Sequence, residues 1–350
     1  MAEIKLDKHH PLYQDDLLHI LKTKGLEKLQ GKSILITGAT GMLGVCLIDS
    51  LMKFNQAKNA NVMVYAVSRS KEKAKSRLGE YYDNPLFRLM EQDVRSPFLD
   101  DLKVDYIIPG ASNTHPLAYS KFPIETIEIN VFGMMNALNK ATQCGAVVLC
   151  MSTVEVYGNA RGEDVFTEDY TGNLNLSNSR SCYTESKRVC EALCQSYIAE
   201  HGVSVKIVRL SRIFGPTMLD ADTKASSQFI KKALNNEDIV LKSKGDQFFS
   251  YTYVADAVSA ILHVLLNGDS GVAYNISNSN CNVRLKDFAA VCAESAGKKV
   301  VFDLPSETES KGYSVATKAI LDNGRLNRIG WMAEYAFDKS IKRTLEILKQ

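Results

Sequence analysis

One stretch constrains this chain more than any other: Ser33 to Gly44, which reads Ser-Ile-Leu-Ile-Thr and then Gly38-Ala-Thr-Gly41-Met-Leu-Gly44. An apolar run of strand length breaks into glycines at spacings of three and continues as the helix-like segment Val45 to Phe54. Ile34, Leu35 and Ile36 are apolar on both sides of an extended chain, as a parallel strand covered by helices on both faces requires. A helix starting behind such a turn aims unpaired amides and the positive end of its dipole forward, which suits a pyrophosphate. Gly38 takes the tight turn, Gly41 removes a side chain from the phosphate side, and Gly44 lets helix pack closely on strand. Ordinary strand-to-helix turns also carry glycines, so the weight comes from position: this turn follows the first strong strand and opens a βα rhythm.

That rhythm runs through the strand segments Asn61 to Val67, Leu86 to Met90, Val104 to Ile108, Ala146 to Met151 and Val203 to Leu210. Between them lie long helices, Ile124 to Ala141 with Ile127, Val131, Met134, Met135 and Leu138 on one face, and Tyr183 to Glu200. Such alternation predicts an α/β, doubly wound parallel sheet of Rossmann type. Pro11 to Leu29 reads as one or two amphipathic helices, with Leu17, Leu18, Leu21 and Leu26 as the expected buried set. After Phe214-Gly215-Pro216 the pattern changes to a smaller mixed C-terminal substrate lobe. It contains the helix Ser226 to Asn235, the strand Ile239 to Leu241, the segment Tyr274 to Ser277, the helix Leu285 to Gly297 and the final helix Asp338 to Leu348. The expected division is an N-terminal extension 1–30, a dinucleotide-binding domain 31–214 to which 252–267 returns, and a substrate lobe of 215–251 and 268–350. Ligands of such sheets bind at the carboxyl ends of the strands, in the cleft between lobes.

Composition narrows the partners. Lys plus Arg number 42 against 40 Asp plus Glu, so there is no broad electrostatic footprint for nucleic acid. Met1 to His10 lacks the apolar core of a signal peptide and no apolar run is long enough to span a bilayer, which predicts a cytosolic protein without a membrane partner. The eight cysteines are scattered through predicted strands and helices, where a thiol acts as a small hydrophobe. Cys190 and Cys194 share a helix face without a His or Cys partner nearby, so no metal site is expected.

Two short stretches carry chemistry. In Tyr183-Thr-Glu-Ser-Lys187, residues four apart on a helix stand over one another, which brings the Lys187 ammonium toward the Tyr183 phenol. Moving a phenol from its pKa of about 10 to near 7 takes roughly 4 kcal/mol of phenolate stabilisation. A buried ammonium, helped by an oxidised nicotinamide ring, is a source for it, and Tyr183 becomes an acid/base near neutral pH. An exposed helix with an incidental Tyr and Lys is the alternative. Upstream, Met151-Ser-Thr153-Val-Glu155-Val-Tyr157-Gly158 ends the fifth strand at the ligand edge of the sheet. Thr153 offers a hydroxyl to the oxygen that Tyr183 deprotonates. Glu155, two residues on and so on the same side of an extended chain, is placed to move a proton at a neighbouring carbon, or else serves as a helix cap or surface acid.

With these residues in view the chain resembles the extended short-chain dehydrogenase/reductases, and within them the nucleotide-sugar epimerase/dehydratase family. The resemblance rests on Thr37 to Gly44, Asp93-Val94, Ser152 to Gly158, Tyr183 to Lys187 and Arg209 to Pro216, which occur in the family's order between about residues 33 and 265. It implies an enzyme with bound NAD that oxidises a nucleotide sugar at C4 and then acts on the 4-keto intermediate. Tyr183 would be the base, Lys187 would hold the ribose and tune the phenol, Thr153 would orient the hydroxyl, and Glu155 matches the glutamate that 4,6-dehydratases use at C5. Gly38, Thr40, Gly41, Met42, Leu43, Gly44, Ser68, Arg69, Asp93, Val94, Ala111 and Ser112 would hold the dinucleotide, with Asp93 and Val94 beside the adenine. Asn113, Arg180, Arg212 and Phe249 would line the nucleotide-sugar site. The family also implies a homodimer through the helices Ile124 to Ala141 and Tyr183 to Glu200.

The chain departs from the family pattern in three places. Val154 stands where 4,6-dehydratases carry an acid and cannot protonate a leaving hydroxyl, while Arg180-Ser-Cys-Tyr183-Thr-Glu-Ser-Lys187-Arg188 looks more like the UDP-glucuronate decarboxylase branch. The second strand ends Val67-Ser68-Arg69-Ser70 where NAD-binding relatives place an acid; an Arg there pairs with a 2′-phosphate, as in NADP binding, or simply starts an exposed Lys-rich helix. Phe249 occupies the position of an arginine that usually sits on the substrate diphosphate, and Arg212, where relatives often have asparagine, is placed to supply the missing charge from the opposite wall. The reading is an epimerase/dehydratase-type enzyme. Its alternatives are a decarboxylase of a nucleotide uronic acid, a binding protein without turnover, and a simple dehydrogenase releasing NADPH.

Overall fold

The computed structural model describes residues 4–114, 116–158, 165–303 and 317–349. Its strands in chain order are β1 (Ser33–Thr37), β2 (Met63–Ser68), β3 (Phe87–Glu91), β4 (Tyr106–Pro109), β5 (Val147–Thr153), β6 (Val205–Leu210), β7 (Arg212–Phe214), β8 (Ile239–Leu241), β9 (Phe248–Tyr253), β10 (Ala273–Ile276), β11 (Asn282–Arg284), β12 (Val300–Phe302) and β13 (Lys318–Ala319). The helices that frame them are α1 (Pro11–Ile20), α2 (Met42–Lys58), α3 (Lys71–Leu78), α4 (Pro116–Lys121), α5 (Pro123–Cys144), α6 (Ser181–His201), α7 (Ala225–Leu234), α8 (Val254–Asn267) and α9 (Leu285–Ser295).

Alternation within β1 builds both layers. Ile34 and Ile36 join a core with Val45 and Ile48 of α2 and Ile261 of α8. Leu35 faces the other way, into a core with Met134 and Leu138 of α5 and Cys190 and Cys194 of α6. Each such side chain contributes about 1.5–3 kcal/mol by leaving water, so helices on both faces are an energetic requirement of the strand. The seven-stranded sheet has the order β10-β6-β5-β4-β1-β2-β3 with every neighbouring pair parallel. Strand order reverses between β1 and β4, and the crevice opens at their carboxyl ends. This is the doubly wound architecture expected from the sequence.

A smaller mixed sheet centres on β9, antiparallel to β11 and parallel to β13 and β7. β8 and β12 form a separate parallel pair. Two expectations are corrected. The segment Tyr274 to Ser277, expected in the C-terminal lobe, supplies β10 instead, an edge strand of the main sheet with Tyr274 opposite Val208 of β6. After α8 the chain has made one more crossover and pairs beside its predecessor. Leu18, expected in the core, is 46% exposed, because the buried face of α1 is set by Tyr13, Leu17 and Ile20 and Leu18 points about 100° away from Leu17. Among the described residues no helix is long and apolar enough to cross a membrane.

Buried carboxylates strap the N-terminal extension to the rest. Asp49 of α2 accepts hydrogen bonds from the Tyr13 hydroxyl (2.6 Å), the Tyr81 hydroxyl (2.9 Å) and Lys8 Nζ (2.7 Å). Asp16 of α1 accepts from the hydroxyl of Tyr253, at the end of β9 (2.5 Å), and from Arg343 Nε in the C-terminal helix Phe337–Leu348 (2.6 Å). Burial raises the pKa of both acids, against the pull of their partners. Removing the carboxylate of Asp16 leaves the buried Tyr253 phenol without its acceptor and takes from Arg343 its buried carboxylate, leaving it Asp15 and the Leu12 carbonyl, and breaking a pair of this kind costs on the order of 3 kcal/mol. The variant Asp16→Ala is therefore expected to lose about that much stability in a denaturant titration, and an unchanged midpoint would refute the strap.

Candidate active site

The site begins where β1 ends. Gly38 has φ +66°, and a Cβ there would lie 2.5 Å from the Gly110 carbonyl oxygen after β4. A Cβ on Gly44 would lie 2.4 Å from the Gly38 oxygen. Only bare backbone fits both positions, so the turn, the start of α2 and the end of β4 close on one another. Gly41 is the N-cap of α2 and brings no side-chain cap, which leaves first-turn amides facing the crevice. Gly38 takes the tight turn, and Gly44 packs against the turn itself, at Gly38 and Ala39. A Cβ on Gly41 would lie 3.2 Å from the Gly38 oxygen, a tight contact milder than those at Gly38 and Gly44.

A cavity of about 930 Å³ extends from this turn across the carboxyl edge of the sheet to β9. It brings together Gly38, Thr40, Gly41, Met42, Leu43, Gly44, Ser68, Arg69, Val94, Ala111, Ser112 and Asn113 with Thr153, Glu155, Arg180, Tyr183, Lys187, Arg212 and Phe249. Asp93 is not among them. Its carboxylate turns to Arg95, two residues on, with Nη2 at 2.8 Å and Nε at 3.1 Å, and Arg95 holds it below the ordinary carboxylate range. Gln92 lines the cavity there. The Asn113 amide donates to Thr126 Oγ1 of α5 at 3.1 Å, and half-exposed Arg69 bonds to Glu125 at 2.7 Å.

Tyr183 and Lys187 lie in the first turns of α6 and both line the cavity, but the ammonium is not spent on the phenol. Lys187 is 6% exposed and its Nζ donates to the Met151 carbonyl of β5 at 2.9 Å. Burial pushes the Tyr183 phenol up to about 12, the hydrogen bond with Thr153 pulls it down, and the charge of Glu155 raises it further. Burial and Glu155 thus favour the protonated phenol in the protein by itself; the near-neutral phenol expected from the sequence also calls on an oxidised nicotinamide ring beside it. The Tyr119 ring, from α4, stacks on it with centroids 5.5 Å apart and planes 19° apart. Arg180 reaches over Tyr119, its guanidinium 5.7 Å from that ring. Sequence reasoning misses Tyr119, since it stands far from every motif and only the stacking marks it.

Glu155 is not on an extended chain. Thr153 caps the short 3-10 helix Val154–Tyr157, its Oγ1 accepting from the Glu155 amide at 3.3 Å, and the turn carries Glu155 toward Arg212. Glu155 Oε1 and Arg212 Nη2 are 3.8 Å apart. The Arg212 guanidinium sits 3.5 Å from the centre of the Phe249 ring, on the neighbouring strand rather than an opposite wall, because β7 pairs with β9. Its Nη1 is buried with no hydrogen-bond partner among the described residues.

A glycine turn and bare helix end facing a Tyr–Lys helix across one cavity define a dinucleotide-binding α/β protein of the extended short-chain dehydrogenase/reductase type. The model of the NAD dependent epimerase/dehydratase family matches residues 34–277. UDP-glucuronic acid decarboxylase 6 of Arabidopsis thaliana is 37% identical over 245 residues, covering 70% of this chain and 69% of that protein. UDP-glucuronic acid decarboxylase 1 of Xenopus tropicalis is 33% identical over 255 residues, 73% of this chain and 58% of that one. The solved UDP-glucuronic acid 4-epimerase of Bacillus cereus, in complex with UDP-glucuronic acid and NAD, superposes with a TM-score of 0.77 at 19% identity over 91% of this chain and 99% of that chain. A dTDP-glucose 4,6-dehydratase from Streptomyces venezuelae with NAD bound gives 0.76 at 22% identity over 90% and 96%. The last two share the fold. The chain belongs to the NAD dependent epimerase/dehydratase family.

The raised phenol is testable without any ligand. A difference titration of tyrosine absorbance, wild type minus Tyr183→Phe, is expected to show no phenolate between about pH 7 and 10. A phenolate with a midpoint near 7 in the protein alone would contradict the burial argument.

Proposed function

We propose that this chain oxidises a nucleotide sugar at C4 and then acts on the 4-keto product. The observation that supports it best is the convergence of Thr153, Glu155, Tyr183 and Lys187 on one cavity whose other end is the Gly38–Gly44 turn. The residues fit a dinucleotide: positions where a Cβ would collide leave a cradle of bare backbone, and the uncapped start of α2 offers amides to a pyrophosphate. NAD bound there supplies a hydride acceptor that returns the hydride later in the cycle. Tyr183 removes the proton of the C4 hydroxyl while Thr153 orients that oxygen. Lys187 fixes the end of β5 through the Met151 carbonyl and is within the same cavity to hold a ribose hydroxyl. Arg212, with one nitrogen unpartnered and its guanidinium 3.5 Å from the centre of the Phe249 ring, takes the substrate diphosphate in place of the arginine absent from β9.

A second reading concerns the step after oxidation. In a nucleotide uronic acid the C4 ketone makes C6 a β-keto carboxylate, which loses carbon dioxide as its bonding pair moves toward the C4 oxygen. The resulting enolate then takes a proton at C5. Two observations favour it: Val154 offers no acid to expel a hydroxyl, and the curated relatives at 37% and 33% identity are UDP-glucuronic acid decarboxylases. Arg180 over Tyr119, beside Tyr183, supplies the cation for such a carboxylate. The free and mostly buried thiols support action in a reducing compartment such as the cytosol.

We also propose a homodimer. The outer faces of α5 and α6, which pack on each other over one side of the sheet, expose Ile124 (72%), Ile127 (44%), Phe132 (47%) and Val189 (43%).

Incubation with UDP-glucuronate, UDP-glucose and dTDP-glucose, with mass analysis of the products and trapping of carbon dioxide, is expected to give turnover that Tyr183→Phe abolishes. Arg212→Ala is expected to raise KM by about tenfold or more, the equivalent of 1.4 kcal/mol, with a smaller change in kcat. Binding without turnover of any of them would leave a binding protein, and an unchanged KM would remove Arg212 from the diphosphate. Light scattering is expected to give the mass of two chains, falling to one in Ile127→Asp; a wild-type monomer would rule the dimer out.

A further inference from the structure

Resting on the reading of Thr153 and Glu155 as groups that act on the substrate, a buried ion pair outside the cavity acquires a part in the reaction. Glu191 of α6 and Arg209 of β6 meet in two hydrogen bonds, Arg209 Nη2 donating to Oε2 at 2.8 Å and Nε to Oε1 at 3.0 Å, and their side chains are 14% and 15% exposed. Neither residue lines the cavity. Each has a further partner on the segment that reaches it. The Ser152 hydroxyl, one residue before Thr153, donates to Glu191 Oε1 at 2.5 Å. Arg209 Nη1 donates at 3.0 Å to the hydroxyl of Tyr157, the last residue of the 3-10 turn that carries Glu155, and the guanidinium lies 4.9 Å from the centre of that ring.

The register of the sheet makes this meeting possible. β5 and β6 are parallel with Ser152 beside Arg209, so the two side chains stand on one face of the sheet, where Glu191 of α6 receives both. Glu191 comes one helical turn after Lys187, whose Nζ donates to the Met151 carbonyl at 2.9 Å, and α6 thereby holds two successive residues of β5. Tyr157 is anchored on its other side, its hydroxyl donating to Asn275 Oδ1 of β10 at 2.6 Å. A buried ion pair adds little net stability over apolar residues of the same volume, but it fixes directions, because a member that loses its partner becomes an unpaired buried charge. Here the fixed directions end on the two sides of one short turn. We propose that Glu191 and Arg209 are positioning residues that hold the turn Val154–Tyr157 from both ends, through Ser152 and Tyr157, and so set where the Thr153 hydroxyl and the Glu155 carboxylate stand in the cavity.

The wild type, Glu191→Ala, Glu191→Gln and Tyr157→Phe are compared in turnover of UDP-glucuronate, UDP-glucose and dTDP-glucose and in NAD affinity by calorimetry, with crystal structures of the wild type and Glu191→Ala. Glu191→Ala is expected to lower kcat by about tenfold to a hundredfold, with KM and NAD affinity within about threefold, since a displacement of about 1 Å is enough for such a loss. Its structure is expected to show the Glu155 carboxylate moved by about that distance. Glu191→Gln keeps an acceptor for Ser152 and Arg209 and is expected to stay within about threefold of the wild-type kcat. Should Glu191→Ala fail to fold, Tyr157→Phe, which removes only a hydroxyl, carries the test with an expected loss of about fivefold in kcat, and no loss there would overturn the proposal. A folded Glu191→Ala with an unmoved turn or an unchanged kcat would overturn the role of the pair alone. No turnover of any of the three sugars by the wild type would overturn the reaction reading and the role of the pair together.

Discussion

Backbone meeting backbone at the end of β1 is the contact on which the rest depends. Gly38 holds a left-handed φ beneath the Gly110 carbonyl, and Gly44 lies against the Gly38 oxygen with no room for a side chain. That double closeness starts α2 immediately behind the strand, points its uncapped amides along the carboxyl edge, and pins β4 beside β1 at the reversal of strand order. The cavity is the space this arrangement leaves, and the helices on both faces make it rigid by burying the apolar faces of β1.

The far wall shows how a charge can change strands without leaving a site. Arg212 pairs with Tyr251 across β7 and β9, and Phe249, two residues before Tyr251, shares its face. A long side chain reaches that diagonal neighbour, and the guanidinium sits 3.5 Å from the centre of the ring. A partly desolvated cation over an aromatic face gains roughly 1–2 kcal/mol, so Phe249 acts as the platform that aims the guanidinium. The ring and the charge form one unit at the β7–β9 edge of the cavity, where Arg212 is proposed to meet the substrate diphosphate.

The sheet is legible in the sequence because its signals are periodic: apolar strands, the glycine turn and a Tyr–Lys spacing of four residues each fix local geometry. Most of the cavity lining is legible with it, since sheet topology delivers those motifs to one edge. What escapes depends on contacts between distant segments. Asp93 is drawn away by Arg95, Glu155 is turned by a cap whose geometry the letters Thr-Val-Glu do not reveal, and β10 finds the main sheet only because β6 offers an open edge. Leu18 is misjudged because α1 is too short for its apolar residues to define one stripe. Tyr119 has no motif at all; its position over Tyr183 is set by the packing of α4.

The charges around Tyr183 divide the chemistry into two controls. Burial keeps the phenol protonated, and the ammonium one turn away serves a strand carbonyl, so Thr153 is the neighbour that eases its ionisation. Further positive charge in the cavity would lower the phenol's pKa, and the cavity's glycine-lined end is where an oxidised dinucleotide would place it. Glu155 answers to a different charge, the guanidinium of Arg212. In the proposed reaction a diphosphate that draws Arg212 to itself separates this pair. The phenol in that proposed reaction thus depends on the cofactor side of the cavity, while the Glu155–Arg212 pair faces the substrate side.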